Sequence, residues 1–542
     1  MKLRPILDVA DDLGLRDSVV PWGPHAAKVP LRTIGNPEPK GKLVLVSAVT
    51  PTKHGEGKST VSVGLTMGLK KSGVNVLACL REPSLGPVFG IKGGGTGGGK
   101  AQVMPADRIN LHFTGDLHAI ASAHDLLAAL VDNDLHFGAK SGLDPRRVTW
   151  PRVLDVNDRA LRKITTGLGG RLNGVPRETR FDITAASEVM AVFSMAKDRA
   201  DLRERLGRIV VGLKADRSPV TVDDIGAADA MAVLLDDAID PNLVQTAEGG
   251  PALLHGGPFA NIAHGCSSVI STRLGLSLAD VVVTEAGFGF DLGGEKFMHL
   301  KCRAAGLWPE AVVLVATVKA LASHGDGDTQ DIGAVKRGLA HLDAQLDNIG
   351  AFGVPAVVAV NVFPDDSEEA LHAIEARAIE RGAPVARFTS FADGGAGAED
   401  LAAKVMATLG DGPAPTPKYL YEESATLPEK VEAIATTLYG ADGVIWAKDA
   451  TRDLKNLEKG GYGHLPPCIA KTQTSFSGDP KRPAIKGGFR VTVTNVRVSA
   501  GAGFLVVLMG SMNTMPGLPR EPAALKIRLD DDGTIRGLMQ GE

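Results

Sequence analysis

Short apolar runs alternate with longer stretches whose apolar positions recur at helical spacing, and this alternation dominates the first part of the chain. "KLVLVSAV", Lys42 to Val49, is an unbroken apolar run of strand length, the pattern of a strand buried on both faces. A glycine-containing loop follows, and then "STVSVGLTMGLKKSG" carries apolar residues at helical spacing with Gly73 as its stop. "NVLACL" reads as a second strand, ending at Arg81. Strand, loop, helix, strand is the order of a parallel α/β sheet.

From about Leu117 to Gly265 the pattern changes to charged, helix-rich segments such as "WPRVLDVNDRALRKI" and "ADLRERLGRIVVGL". Buried-strand runs return in "ADVVVTEAGFGFDLGGEKF", "AVVLVATVKAL" and "PAVVAVNVF". A Pro-rich joint, "GDGPAPTPKYL", separates a last α/β segment with strand candidates "FRVTVTNVRVSA" and "GFLVVLMG". The expected fold class is α/β: a P-loop nucleotide-binding domain with a parallel sheet (1–116 and 266–412), interrupted by a helix-rich insertion (117–265) and followed by a smaller C-terminal α/β domain (413–542).

Composition narrows the function classes. In 542 residues, 59 Lys and Arg nearly balance 63 Asp and Glu, so no overall field favours nucleic acid or an anionic membrane. The four cysteines, Cys79, Cys266, Cys302 and Cys468, are far apart and form no CxxC pair, which fits a reducing, cytoplasmic setting. The N-terminal segment carries acids in place of a signal-peptide core, and no apolar run approaches the ~20 residues of a membrane span. The 65 glycines cluster in short runs, pointing to tight loops near ligands.

"TPTKHGEGKST" (Thr50 to Thr60) supplies the first chemistry. A phosphate-binding loop usually reads GxxxxGK[ST]; here Thr52 takes the place of the opening glycine, while Gly57, Lys58 and Ser59 complete the pattern. The expected ATP-binding residues are Thr52, Lys53, His54, Gly55, Glu56, Gly57, Lys58, Ser59 and Thr60. Glycines let backbone N–H groups converge on phosphate oxygens, Lys58 reaches the β- and γ-phosphates, and Ser59 holds Mg²⁺. Lys53 also matches the KxGxGK[ST] pattern of dimeric ATPase switches, a competing reading. Arg81, at the end of the neighbouring strand, suits an anionic acceptor, since two unit charges about 4 Å apart repel by roughly 4 kcal/mol at an effective dielectric near 20. Its plainer reading is a surface ion pair with Glu82. Lys58, Arg81 and Mg²⁺ together suit phosphoryl transfer to a carboxylate. Glu285 ends a strand and is a second Mg²⁺ candidate. His255 and His264 of "HGGPFANIAHG" have no metal-ligand spacing, so loop or core roles are expected.

The chain resembles the formate–tetrahydrofolate ligase family nearly end to end. The resemblance is carried by "TPTKHGEGKST", "LREPSLGPVFGIKGG", "NLHFTGDLHAI", "FDITAASEVMAVF", "HGGPFANIAHGCSSV", "EAGFGFDLGGEKF", "CIAKTQTSFSGDP" and "NTMPGLP". It implies ATP-dependent phosphorylation of formate to formyl phosphate, followed by attack of the tetrahydrofolate N10 amine on the formyl carbon. It also implies MgATP, a monovalent cation, tetrahydrofolate as co-substrate and a homotetramer. By matching motif, Lys58 and Arg81 handle the phosphate and acyl phosphate, and Asp116 contacts the folate with a catalytic role. Phe363 and Phe391 flank the pterin, Phe391 standing where the family has tryptophan. Asp116 also reads as the N-cap of a helix running from Leu117.

The sequence departs from the family's usual signatures at Lys100, where a tyrosine is common, at Ala322 and Asp326 in "VKALASHGD", where lysine and glycine are common, and at Thr474, again for tyrosine. These changes touch the expected folate wall and leave the phosphate-handling residues intact. A family member that has lost folate activity is therefore the third reading.

Overall fold

The structure is a computed structural model that describes residues 3–538 apart from Asn36, Lys53, His54, Gly93, Gly94, Asp411, Pro413, Lys481, Pro483, Ala484 and Ser511. The apolar runs become the strands of one twelve-stranded sheet. Across it lie Pro251–Leu254, Val76–Leu80, Val281–Glu285, Lys42–Ala48, Ala311–Ala316, Ala356–Asn361 and Val385–Phe388, every neighbouring pair parallel. Lys42–Ala48 sits in the middle, with Leu45 opposite Thr284 on one side and Val312 on the other. Its residues Leu43 to Ala48 are buried, as a strand covered by helices on both faces must be. The loop that follows opens at the carboxyl edge of the sheet, where parallel sheets gather their ligands. The helix predicted after it spans Lys58–Lys71 and is buried from Val61 to Leu69.

Beyond Pro251–Leu254 the pairing turns antiparallel through Asn242–Thr246 to Ala27–Lys28 and Val20–Pro21. Asn242–Thr246 and Pro251–Leu254 fall inside the 117–265 span and pair within the main sheet. Both are short and lack the β-branched run of strands such as Val281–Glu285 and Ala356–Asn361, so the pattern alone did not separate them from the helical segment. The insertion proper holds the helices Asp116–His136, Glu188–Met195 and Arg199–Arg208 and a small sheet of Pro219–Thr221, Val210–Lys214 and Leu143–Val148. Its core, including Leu127, Val131, Phe193 and Met231, is continuous with Phe504 and Val506 of the C-terminal segment.

In that segment the helix Leu427–Thr437 starts with a Thr426–Glu429 capping box. "FRVTVTNVRVSA" is two strands rather than one. Val491–Val493 pairs with Val444–Trp446, whereas Asn495–Ser499 pairs with Phe504–Met509, the change of partner falling at Thr494. Pro467–Lys471 completes that second sheet in parallel with Phe504–Met509. No described helix is long and apolar enough to cross a membrane. All four cysteines are free and buried.

Asp326, at the position where the family usually has glycine, has φ 58°, in the left-handed region. Aspartate tolerates that region better than most residues but still carries strain. Asp326→Gly is expected to raise the thermal midpoint by roughly 1–2 °C, the yield of a stabilisation of somewhat under 1 kcal/mol. A midpoint unchanged or lowered in a melting scan would show that the backbone is relaxed there.

His255 is fully buried, with Nδ1 at 2.6 Å from Ser268 Oγ and Nε2 at 3.0 Å from the Ala238 carbonyl. This makes it a core histidine, as expected for that loop. Burial pushes its pKa down to about 3, with the Lys28 ammonium adding to the effect. A depressed histidine contributes stability that is present above the ordinary value near 6.5 and is lost as pH falls through the folded one. The stability difference between wild type and His255→Gln is therefore expected to narrow as pH falls from about 7 to 4, by up to about 1.4 kcal/mol per unit. Melting scans of both proteins across that range check it; parallel curves would contradict a neutral buried His255.

Candidate active site

The phosphate loop is braced from within. The Glu56 carboxylate is buried and accepts hydrogen bonds from the Thr52 N–H (2.8 Å), Thr52 Oγ1 (3.2 Å) and Thr317 Oγ1 (3.0 Å). Of the residues expected to line the nucleotide, Glu56 thus turns its side chain inward and closes the loop on itself. Thr52, standing for the missing glycine, supplies two of those contacts. Gly57 is the N-cap of the helix at Lys58, with φ 74°, and a side chain there would run into the Asn361 amide, which donates to the Glu56 carbonyl at 3.2 Å. Because Gly57 has no side chain, the helix start is not capped by its own N-cap residue. Its first N–H groups stand at the position where helix starts receive anions. Lys58, Ser59 and Thr60 are partly exposed on that first turn, and Gly55 is exposed in the loop. Lys53 and His54 lie outside the described residues.

Two strand ends meet the helix start beside the loop. Ser59 Oγ donates to Glu285 Oε2 at 2.9 Å, and Arg81 Nη2 donates to Glu285 Oε1 at 3.3 Å. The two Mg²⁺ candidates therefore meet, and both are linked to the guanidinium through one carboxylate. The expected pairing of Arg81 with Glu82 is not formed: Arg81 turns to Glu285, and its buried Nε has no hydrogen-bond partner among the described residues. An unpaired guanidinium N–H next to a phosphate loop is suited to an oxyanion. Among the described residues, no group of three or more His, Cys, Asp or Glu is placed to hold a metal ion. A nucleotide-borne Mg²⁺ needs only one or two protein oxygens, since phosphates and water complete its shell.

Asp116 is the first residue of the helix Asp116–His136, whose N-cap is Gly115, so the N-cap role expected for Asp116 is corrected. Its carboxylate is buried and receives Lys28 Nζ at 2.6 Å, Asn242 Nδ2 at 2.8 Å and Thr114 Oγ1 at 3.2 Å. Burial raises the Asp116 pKa, and the Lys28 ammonium opposes the shift. Glu82 lies in the same cluster, and burial together with the nearby Asp116 charge pushes its carboxyl well above the usual range. Lys28 and Asn242 meet only through the antiparallel edge of the sheet, and Glu82 reaches the cluster from beyond the end of the parallel strand Val76–Leu80, so local pattern does not reveal them as partners.

Phe363 and Phe391 follow adjacent parallel strands: Asn361 pairs with Phe388, and the Val362 N–H donates to the Phe388 carbonyl at 3.0 Å. Both aromatics thus stand at the same carboxyl edge as the phosphate loop. Lys319 lies 4.3 Å from the centroid of the Phe363 ring, an amine over its face. Phe391 is 48% exposed and rests on the hairpin of Gly97–Gly98 and Ala101–Met104. Its carbonyl accepts the Lys100 N–H at 2.8 Å, and any side chain at Gly99 would collide with that carbonyl. This gives the glycine run a packing reason that composition could not show.

The Formate–tetrahydrofolate ligase family matches residues 1–539. The chain belongs to that family. A formate–tetrahydrofolate ligase of Myxococcus xanthus is 54% identical over 551 aligned positions, covering 100% of both chains. One from Methylobacterium sp. strain 4-46 is 54% identical, covering 99% of this chain and 98% of its own, and one from Nocardioides sp. has the same identity and coverage. Membership over the whole length leaves no part of the chain for the dimeric ATPase-switch reading.

Proposed function

We propose that this protein ligates formate to tetrahydrofolate at the expense of ATP, giving 10-formyltetrahydrofolate, ADP and phosphate through formyl phosphate. The observation that carries the reading is the chain of contacts from Ser59 through Glu285 to Arg81. It joins a phosphate-loop hydroxyl and a partly unpaired guanidinium within two hydrogen bonds, in a chain that matches the ligase family from end to end.

In the proposed reaction a formate oxygen attacks the γ-phosphorus and the bond to the ADP oxygen breaks. Lys58 and the helix start hold the phosphates, and Arg81 neutralises the oxyanions that gather when a carboxylate meets the γ-phosphoryl group. Ser59, with Glu285 behind it, fits a Mg²⁺ carried by ATP; when bound, the ion draws charge from the β- and γ-oxygens. The folate amine then attacks the formyl carbon, the carbon–oxygen bond to phosphate breaks, and the amine proton must leave. Phe363 and Phe391 supply apolar faces for the pterin, and the Asp116 cluster supplies its polar edge. The domain division (1–116 and 266–412 for the P-loop domain, 117–265 for the insertion, 413–542 for the C-terminal domain), the monovalent cation and the homotetramer belong to the same proposal.

Product analysis tests it. Incubation with MgATP, formate and tetrahydrofolate is expected to yield 10-formyltetrahydrofolate, seen as the 5,10-methenyl form after acidification, with one ADP per product. ADP release without that product would favour a member that has lost its folate activity.

A further inference from the structure

Thr50 joins the central strand to the phosphate loop, and every polar atom it has is taken. Its N–H donates to His341 Nε2 at 3.0 Å, and its carbonyl lies 2.7 Å from His324 Nε2. Its Oγ1 donates to Asp291 Oδ1 and accepts from Gln345 Nε2, each at 3.0 Å. The partners fix the imidazole roles. A backbone N–H can only donate, so His341 Nε2 carries no proton; a carbonyl can only accept, so His324 Nε2 carries one. The two rings lie 4.1 Å apart and grip one residue from its two ends.

We propose that His324 and His341 are positioning residues for ATP binding, a two-imidazole clamp that sets the phosphate loop and requires a neutral His341. This rests on the reading of Thr50 to Thr60 as the ATP loop. The clamp reaches three other elements. His341 lies in the helix Ile332–Ala351 and His324 at the end of Val318–His324. Asp291 is held by Lys471 of the C-terminal segment at 3.3 Å, and Phe476 of that segment stands 5.0 Å from the His341 ring. Among the described residues, the Asp291 and Glu56 carboxylates act on His324, and Lys471 holds Asp291. Both carboxylates favour a charged His324, but burial outweighs them and holds it below the ordinary histidine range. Protonating His341 at Nε2 would set a donor against the Thr50 N–H and free the start of the loop.

Calorimetric titration of the full-length protein with MgATP tests the clamp. His341→Leu removes the acceptor and is expected to weaken binding roughly tenfold, the effect of stranding one buried donor. His341→Gln can still place an amide oxygen at the Nε2 position, and is expected to bind within about threefold of wild type. Wild-type affinity in a folded His341→Leu, or equal weakening by both variants, would overturn the clamp. If His341→Leu does not fold, a folded His341→Gln weakened tenfold or more would overturn it. A wild type that fails to bind MgATP at all would overturn the loop reading itself, and the clamp with it.

Discussion

Arg81→Ala is expected to lower turnover by about 10²–10³-fold while changing MgATP affinity only a few-fold, the pattern of a group that acts on charge formed in the reaction. The reason lies in its surroundings. Arg81 follows the buried strand Val76–Leu80, is oriented by Glu285 and keeps a buried Nε without a partner among the described residues. A planar fork can hold two oxyanions at once, which an ammonium cannot, so Arg81→Lys is expected to recover little of the lost rate. Steady-state turnover alongside nucleotide calorimetry separates the two effects. Full turnover in Arg81→Ala would remove the residue from the site.

Lys58→Ala should act earlier, lowering kcat/KM for ATP by about 10²–10³-fold and weakening nucleotide binding directly. Lys58 begins the helix Lys58–Lys71 and is partly exposed, whereas the burial that anchors that helix starts at Val61. The thermal midpoint is therefore expected to stay within about 2 °C of wild type, since helix positions outside the buried face tolerate alanine well. A fall in kcat/KM with that midpoint preserved identifies a ligand contact. A collapsed midpoint with unchanged ATP affinity in the remaining folded fraction would make Lys58 a structural residue.

The parts of this architecture legible in the sequence are those fixed by local pattern. "KLVLVSAV", "ADVVVTEA" and "PAVVAVNVF" are continuous apolar runs that leave no polar face, and each is a strand of the parallel sheet. The loop and its helix were legible because Gly57, Lys58 and Ser59 have a fixed spacing. Asn242–Thr246 and Pro251–Leu254 were not, since they carry no unbroken β-branched run and depend on long-range pairing with Ala27–Lys28 and Val76–Leu80. The same holds for the site. Lys58, Arg81 and Glu285 stand at strand ends and helix starts that the pattern predicts. The partners that orient or neutralise site groups, Lys28 and Asn242 on Asp116 and His341 on Thr50, are brought in from 88 to 291 residues away. Glu56 shows the opposite failure, since a motif position that reads as ligand-facing turns its charge inward to Thr52 and Thr317.

The central claim is that one site forms an acyl phosphate from formate and then passes its formyl group on. Formate labelled with ¹⁸O tests this most directly, with mass analysis of the phosphate released during folate-dependent turnover. Attack by formate on the γ-phosphorus, followed by cleavage of the carbon–oxygen bond, carries one formate oxygen into each phosphate, and that transfer is the predicted result. Phosphate free of label, formed at the rate of the folate product, would contradict the account.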